Sequence, residues 1–493
     1  MKWPRSNWTG VLSRRTWLGS LSIFALLSVQ TEAFCQSTSD ELSAKLASTC
    51  RDKNVPAMAV VLISSEGIVQ ADCFGVRKRG TTDRVSLSDR FPIGSNTKSM
   101  TATLAGVLVD ANKIEWTTTI GDVWPNATDK DIHPKLKSVT LDQLLTHQSG
   151  LPTNISDLSP SAWAAFFEEK QSAPLERRRM LKVVLGSAPT NPQGKYHYSN
   201  LGYAIASAML ETRAKESYES LMQKHLFAPL DMRSADFRTL ASAKRLRAPI
   251  LWGHQADGTP VDPRTVGAEN PSVYAAAGTV NISIEDYAKY AHWHLKGKPE
   301  PVLKSQATFD HLHLPQVEQS PSGAKYGGGW ICLDTPFGPA LNHAGSNTNT
   351  FSLIWVLPES NFAAIVCTNT GEPQAFPACD EMVSYLMTKY AKVQKNNATD
   401  ASSAADMEVA PERLVGRYQL NPNFIFDVKL EGQRLLVGIT NQPTQQVFAD
   451  SPTKWSYRSV KAQLEFHLRS NGPAYALTLH QNGIAQRAKR ISK

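Results

Sequence analysis

Ser95-Asn96-Thr97-Lys98 sets a serine and a lysine three residues apart. On a helix that interval puts both side chains on one face, within mutual reach. A serine hydroxyl is a weak nucleophile until a neighbouring base takes its proton. A lysine stripped of water has a lowered pKa and can serve as that base, or position another. A helix start adds the favourable end of the dipole and free backbone N–H groups for a developing oxyanion. The same spacing recurs in Ser322-Gly323-Ala324-Lys325 and Ser451-Pro452-Thr453-Lys454, but both are rich in turn residues and neither opens an apolar-periodic helix. Only at Ser95 does a lead-in, Phe91-Pro92-Ile93-Gly94, run into a helical pattern, with Met100, Leu104, Val107 and Leu108 able to share a buried face.

Two further motifs follow. Tyr198-Ser199-Asn200 lies after Pro192-Gln193-Gly194 and before Leu201-Gly202-Tyr203, and His343-Ala344-Gly345 precedes two strand candidates. Ser-x-x-Lys, Tyr-x-Asn and Lys/His-x-Gly in this order resemble the serine β-lactamase and penicillin-binding-protein superfamily, whose Ser-x-x-Lys motif carries the nucleophile. Tyrosine opening the second motif resembles class C β-lactamases and their esterase and peptidase relatives. The resemblance covers most of residues 40–390. It includes Leu144-Leu145-Thr146-His147-Gln148-Ser149-Gly150-Leu151-Pro152, Ala277-Gly278 with Ile284-Glu285-Asp286, and Tyr326-Gly327-Gly328-Gly329-Trp330. The ending Leu477-Thr478-Leu479-His480-Gln481-Asn482-Gly483 is similar to a β domain appended to many such hydrolases.

The resemblance implies roles residue by residue. Ser95 is acylated; Lys98 and Tyr198 share the base work, with Tyr198 activating the deacylating water. Asn200 bonds the substrate amide and holds Lys98. His343 and Gly345 line the site, and the N–H groups of Ser95 and Ser346 form the oxyanion hole. No metal or organic cofactor is implied. The implied activity is hydrolysis of an ester or amide: a β-lactam, a D-amino-acid peptide or a small ester. One departure bears on substrate: many β-lactamases have lysine where this chain has His343, neutral or charged according to its surroundings. The rival reading is a catalytically inert relative that binds peptidoglycan fragments or a partner protein, and intact Ser95, Lys98, Tyr198 and Asn200 speak against it. His147 reads as structuring its loop, Trp330 and Tyr203 as packing residues, and Lys195 and His197 stand outside the catalytic set.

These residues need a scaffold. Ala57 to Ile63 and Ile68 to Phe74 read as strands around a Glu66-Gly67 turn, and Ser352 to Leu357 and Ala363 to Cys367 as two more meeting at Pro358-Glu359-Ser360-Asn361. Strands from both ends with helices between suggest one sheet closed by the two termini. The expected fold is α+β: a β-lactamase/transpeptidase-like three-layer α/β/α sandwich with an antiparallel sheet and a helical subdomain carrying Tyr198 and Asn200. The expected hydrolase domain spans 38–395. The polar, unperiodic stretch from Asn396 reads as a linker over 396–410. Residues 411–493 read as a small all-β domain, with strands at Phe424 to Leu430, Leu435 to Ile439, Lys454 to Arg458, Leu464 to Leu468 and Ala474 to Leu479.

With 493 residues, 41% hydrophobic and 19% charged, the chain is globular and long enough for two or three domains. Lys2, Arg5, Arg14 and Arg15 precede an apolar run, Trp17 to Leu27, too short to span a bilayer. Residues 1–33 therefore read as a signal peptide, removed on export to the periplasm or outside, and leaving no stable membrane span. Ser13-Arg14-Arg15-Thr16-Trp17-Leu18 resembles a twin-arginine signal, with an ordinary secretory signal as the alternative. The net charge of +8 divides into +3 on the leader, −2 on residues 34–410 and +7 on 411–493. The last is either a solvated basic face or a domain lying near an anionic surface. The expected partner is a small-molecule or peptide substrate, cell-wall derived or not, and no nucleic acid. Cys35, Cys50, Cys73, Cys332, Cys367 and Cys379 fit no zinc or CxxC pattern, and sequence does not choose among their pairings.

Overall fold

The computed structural model describes residues 40–492, except 169–170, 243–249, 321–322, 336, 372, 403–409, 423, 433, 441, 443, 458–461, 469–471 and 482–483. The proposed leader, its twin-arginine motif and Cys35 lie outside the described residues.

Helix α1 (residues 40–52) leads into β1 (Ala57–Ser64), which turns back as β2 (Gly67–Gly75). The chain then leaves the sheet for α2 (Thr97–Asp110), α3 (Ala173–Leu185), α4 (Asn200–Ala214) and α5 (Ile284–Lys296). It returns through β3 (Val317–Glu318), β4 (Lys325–Tyr326), β5 (Ile331–Thr335), β6 (Gly338–Ser346), β7 (Phe351–Leu357) and β8 (Phe362–Thr368), and ends the layer with α6 (Ala375–Ser402). The eight strands lie in the order β2-β1-β8-β7-β6-β5-β4-β3. β1 from the start and β8 from the end pair antiparallel at its centre, Val60 opposite Val366. The sheet is thus closed by the two ends of the domain, as the sequence suggested.

Every residue of β1 is buried, because both faces of the strand are covered. Side chains alternate between faces. Met58, Val60 and Leu62 join Leu42 and Leu46 of α1 and Ala378, Cys379, Met382, Val383 and Leu386 of α6 in one core. Ala59, Val61 and Ile63 join Ile284, Tyr287, Ala288 and Ala291 of α5, with Met100 and Leu104 of α2, in the other. The i, i+3, i+4 spacing of the α6 residues gives it one apolar stripe. Helices on both faces of an antiparallel sheet make the three-layer α+β sandwich.

α6 continues to Ser402, through the first part of the stretch read as a linker. β9 (Gly416–Asn421), β10 (Phe424–Glu431), β11 (Arg434–Ile439), β12 (Gln445–Ala449), β13 (Lys454–Tyr457), β14 (Ala462–His467), β15 (Ala476–Gln481) and β16 (Ile484–Ser492) follow. They form a closed barrel, filled by Tyr418, Phe426, Val437, Leu464 and Leu477. Its last strand reaches the sandwich through Arg487–Glu359 (2.8 Å) and Lys489–Asp334 (3.1 Å). The five cysteines of the described residues are unpaired thiols. Among the described residues no helix is long and apolar enough to cross a membrane.

Candidate active site

Ser95 sits in the 3₁₀ turn Gly94–Asn96 that opens α2, and two anchors hold that turn. Asn96 Nδ2 donates to Ser352 Oγ of β7 at 2.6 Å, and Ser352 Oγ donates to the Ile93 carbonyl at 3.0 Å. Gly94 takes φ +53°, and a methyl group there would lie 2.4 Å from the Ser346 backbone nitrogen. A methyl group on Gly345 would stand 2.0 Å from the Ile93 carbonyl oxygen. Glycine at both positions therefore lets β6 lie directly against the turn carrying Ser95. Gly345 was expected to touch substrate; it is instead buried, and seats the strand.

One helical turn on, Lys98 is fully buried. Its Nζ lies 3.0 Å from Ser95 Oγ, 2.7 Å from Asn200 Oδ1 and 2.7 Å from the Ala277 carbonyl. All three partners are neutral oxygens, and burial holds the amine well below its ordinary pKa. A neutral amine donates two N–H bonds to Asn200 and Ala277, which only accept, and turns its lone pair to the Ser95 hydroxyl. Once it takes the serine proton, the same three oxygens satisfy the ammonium. The transfer needs no rearrangement, and that suits a general base.

Tyr198 donates its hydroxyl to Ser95 Oγ at 2.7 Å. Burial raises its pKa, so the resting group is a phenol. Ser95 Oγ thus accepts from Tyr198 while facing Lys98. Ser199 caps α4, its Oγ accepting from Gly202 N–H and donating to the Pro152 carbonyl at 2.6 Å. Asn200 then stands on the first turn of α4, with its Nδ2 donating to Asn154 Oδ1 at 2.8 Å.

The direction of the Ser346 N–H follows from strand geometry. Asn347 N–H donates to the Thr350 carbonyl, so the next pair, Ser346 opposite Phe351, is a non-hydrogen-bonded one. Its N–H groups point away from β7. On that side β5 pairs with β6 only from Gly338 to Asn342, which leaves the Ser346 N–H at an open edge beside Ser95.

His343 departs from a substrate-lining role. It is buried; its Nδ1 donates to its neighbour's carbonyl, Ala344 O, at 2.7 Å, and its Nε2 accepts from Tyr326 O–H at 3.0 Å. Burial, reinforced by Lys98, pushes its pKa down to about 3. The imidazole is therefore neutral with both nitrogens used, and offers a substrate neither charge nor donor.

Ser95, Lys98, Tyr198, Asn200 and Ser346 come together as the motifs suggested. The Ala277 carbonyl, Asn154 and Tyr326 were not singled out as site residues, although Ala277 and Tyr326 lie in segments noted for their resemblance. Tyr203 and Trp330 are fully buried packing residues. His197 contributes its backbone N–H to the His147 carbonyl at 2.8 Å. Among the described residues no group of three or more His, Cys, Asp or Glu is placed to hold a metal ion.

The family described as Beta-lactamase matches residues 40–383. Penicillin-binding protein 4 of Amycolatopsis lactamdurans is 26% identical over 66% of this chain and 84% of its own length. Unguisins hydrolase ungD of Aspergillus violaceofuscus is 26% identical over 48% of this chain, which spans only 42% of that relative. The octameric penicillin-binding protein homologue from Pyrococcus abyssi superposes with a TM-score of 0.58 at 20% identity, over 91% of this chain and 99% of its own, so the likeness in fold takes in the barrel.

Proposed function

Because the chain belongs to the beta-lactamase family and is a serine hydrolase, we propose that it is an exported enzyme that cleaves an ester or amide through an acyl-enzyme on Ser95. The observation that carries this reading is the triangle of Ser95 Oγ, Lys98 Nζ at 3.0 Å and Tyr198 Oη at 2.7 Å, with the lysine buried among neutral acceptors. Ser95 Oγ attacks the carbonyl carbon while its proton passes to Lys98 Nζ. The carbonyl oxygen takes the charge between the N–H groups of Ser95 and Ser346. The bond to the leaving group breaks as that group takes a proton from Lys98 through Tyr198. Water then attacks the acyl ester, gives up a proton along the same path, and releases the acid and Ser95.

The neutral, fully bonded His343 supports substrates without a carboxylate at the third motif, which favours small esters and uncharged amides over β-lactams and peptide C-termini. Export rests on residues 1–33, where four basic residues precede a short apolar run. The test is intact-protein mass spectrometry of wild type and Ser95→Ala after exposure to a fluorophosphonate and, separately, to a benzylpenicillin-type β-lactam. The expected result is a fluorophosphonate adduct on wild type, absent from Ser95→Ala, with a short-lived β-lactam adduct or none. A folded wild type that neither reagent labels would return the chain to the binding-protein reading. A persistent β-lactam adduct would reverse the substrate preference.

A further inference from the structure

His147 is a histidine that the acylation steps do not use, yet it grips the Tyr198 segment from both sides. Its Nδ1 accepts the Ser199 N–H at 3.0 Å, and its carbonyl accepts the His197 N–H at 2.8 Å. These are the residues immediately before and after Tyr198. Between the two bonds the imidazole packs on the Tyr198 ring, centroids 4.3 Å apart. Tyr196, Tyr203 and Tyr326 close around it at 5.7, 5.3 and 4.6 Å.

Three features set this residue apart from ordinary loop packing. Its φ is +62°, a left-handed conformation uncommon outside glycine, in which asparagine, aspartate and histidine are the usual exceptions. It is fully buried. Because an N–H can only donate, Nδ1 is the bare nitrogen and Nε2 carries the proton of the neutral ring, yet that buried Nε2 has no hydrogen-bond partner. A residue chosen for packing alone would be apolar here; one chosen only to accept the Ser199 N–H would not need a ring.

We propose that His147 is a positioning residue, whose acceptor nitrogen and ring together hold the Tyr198 phenol against Ser95. This rests on the acyl-enzyme reading above. Asparagine is the informative replacement: it tolerates the left-handed backbone, and its Oδ1 stands where Nδ1 does. Alanine loses both the acceptor and the ring.

The experiment follows fluorophosphonate labelling of Ser95 by mass, and reads the limiting rate and the final labelled fraction separately. Partial unfolding lowers the fraction at unchanged rate; a misplaced phenol lowers the rate at full fraction. His147→Ala is expected to slow the limiting rate about 100-fold, the scale of a misplacement of about 1 Å. His147→Asn is expected to recover to within about ten-fold of wild type. In a Tyr198→Phe background, neither substitution should slow labelling further, since both act through the absent hydroxyl. Wild-type rate in His147→Ala, equal loss in Ala and Asn, or a loss that persists in full without the Tyr198 hydroxyl would each overturn the proposal. Should the alanine protein not fold, His147→Gln takes its place and the same outcomes apply, since it moves the acceptor one carbon away while keeping bulk. A wild type that does not label at all removes the acyl-enzyme reading first, and this proposal with it.

Discussion

At the scale of single residues, the proposed chemistry depends on an amine that is neutral at the working pH. Burial among Ser95, Asn200 and Ala277 oxygens depresses the Lys98 pKa, so the competent, uncharged base accumulates as pH rises through that lowered value. Tyr198 shifts the other way and stays a phenol, and His343, at about 3, titrates below the useful range. The expected kcat/KM profile with p-nitrophenyl butyrate is therefore a single rising limb that reaches its plateau below the ordinary lysine range. Lys98→Met should lower the plateau by about 100-fold or more and remove the limb. A bell-shaped profile with an inflection near 6.5 that His343→Gln removes would make His343 the titrating group instead. Ser95, Lys98, Tyr198 and Asn200 were legible in the sequence because each pair is joined by a short, fixed spacing. The Ala277 carbonyl was not, since a backbone oxygen has no side-chain signature. Nor was the state of His343, which depends on burial and on Tyr326 arriving from the next strand but one.

At the scale of elements, the site is a junction between the end of β6 and the turn before α2, and two glycines set its closeness. The Gly345→Ala methyl would meet the rigid Ile93 carbonyl at 2.0 Å, with Asn96 N and Ser95 N at 2.8 Å, so strand or turn must move. Overpacking of this kind costs about 1–3 kcal/mol. The expected result is a lower urea midpoint at unchanged slope, and slower fluorophosphonate labelling even of the folded fraction. Gly194 gives the contrast: its φ of +75° strains an added methyl, but nothing lies within 4 Å of it. Gly194→Ala should therefore lower stability while leaving the labelling rate of the folded protein near wild type; equal rates for the two variants would show that the closeness of β6 is not what matters. Among the elements, β1 was readable because burial of both faces makes its sequence continuously apolar. The helical reach of α6 to Ser402 was not, because its sequence there is polar and small. β16 was missed for a related reason: Ile484-Ala485-Gln486-Arg487-Ala488-Lys489-Arg490 reads as a basic segment, and it becomes a strand by pairing with β15 and closing on β9.

At the scale of the whole molecule, the barrel and the site occupy opposite ends of one strand. Arg487 reaches Glu359 near Gly338, at the start of β6, while Ser346 ends that strand beside Ser95, about 27 Å away at a rise of about 3.4 Å per residue. Part of the barrel's positive charge is thus spent against Glu359 and Asp334 of the sandwich. Several histidines of the sandwich are buried away from any carboxylate. His147 and His343 are buried at the site, and the buried His294 is bonded to the half-buried His313 at 2.8 Å. Burial lowers all four, to about 4 for His313 and about 3 for His343. In the unfolded chain each would protonate near 6.5. The stabilisation from keeping them neutral is complete above that value and is lost as pH falls toward the folded values, because the unfolded state then binds protons that the folded state refuses. Each such group steepens the dependence by up to about 1.4 kcal/mol per pH unit. The thermal midpoint should therefore hold between pH 7 and 8 and fall steeply from about 6.5 to 4.5. His313→Gln, remote from Ser95, should flatten that fall while lowering the midpoint at pH 7.5. A midpoint unchanged from pH 7.5 to 5 would mean that these imidazoles take up protons without leaving the fold, and that their burial does not set the acid limit of the protein.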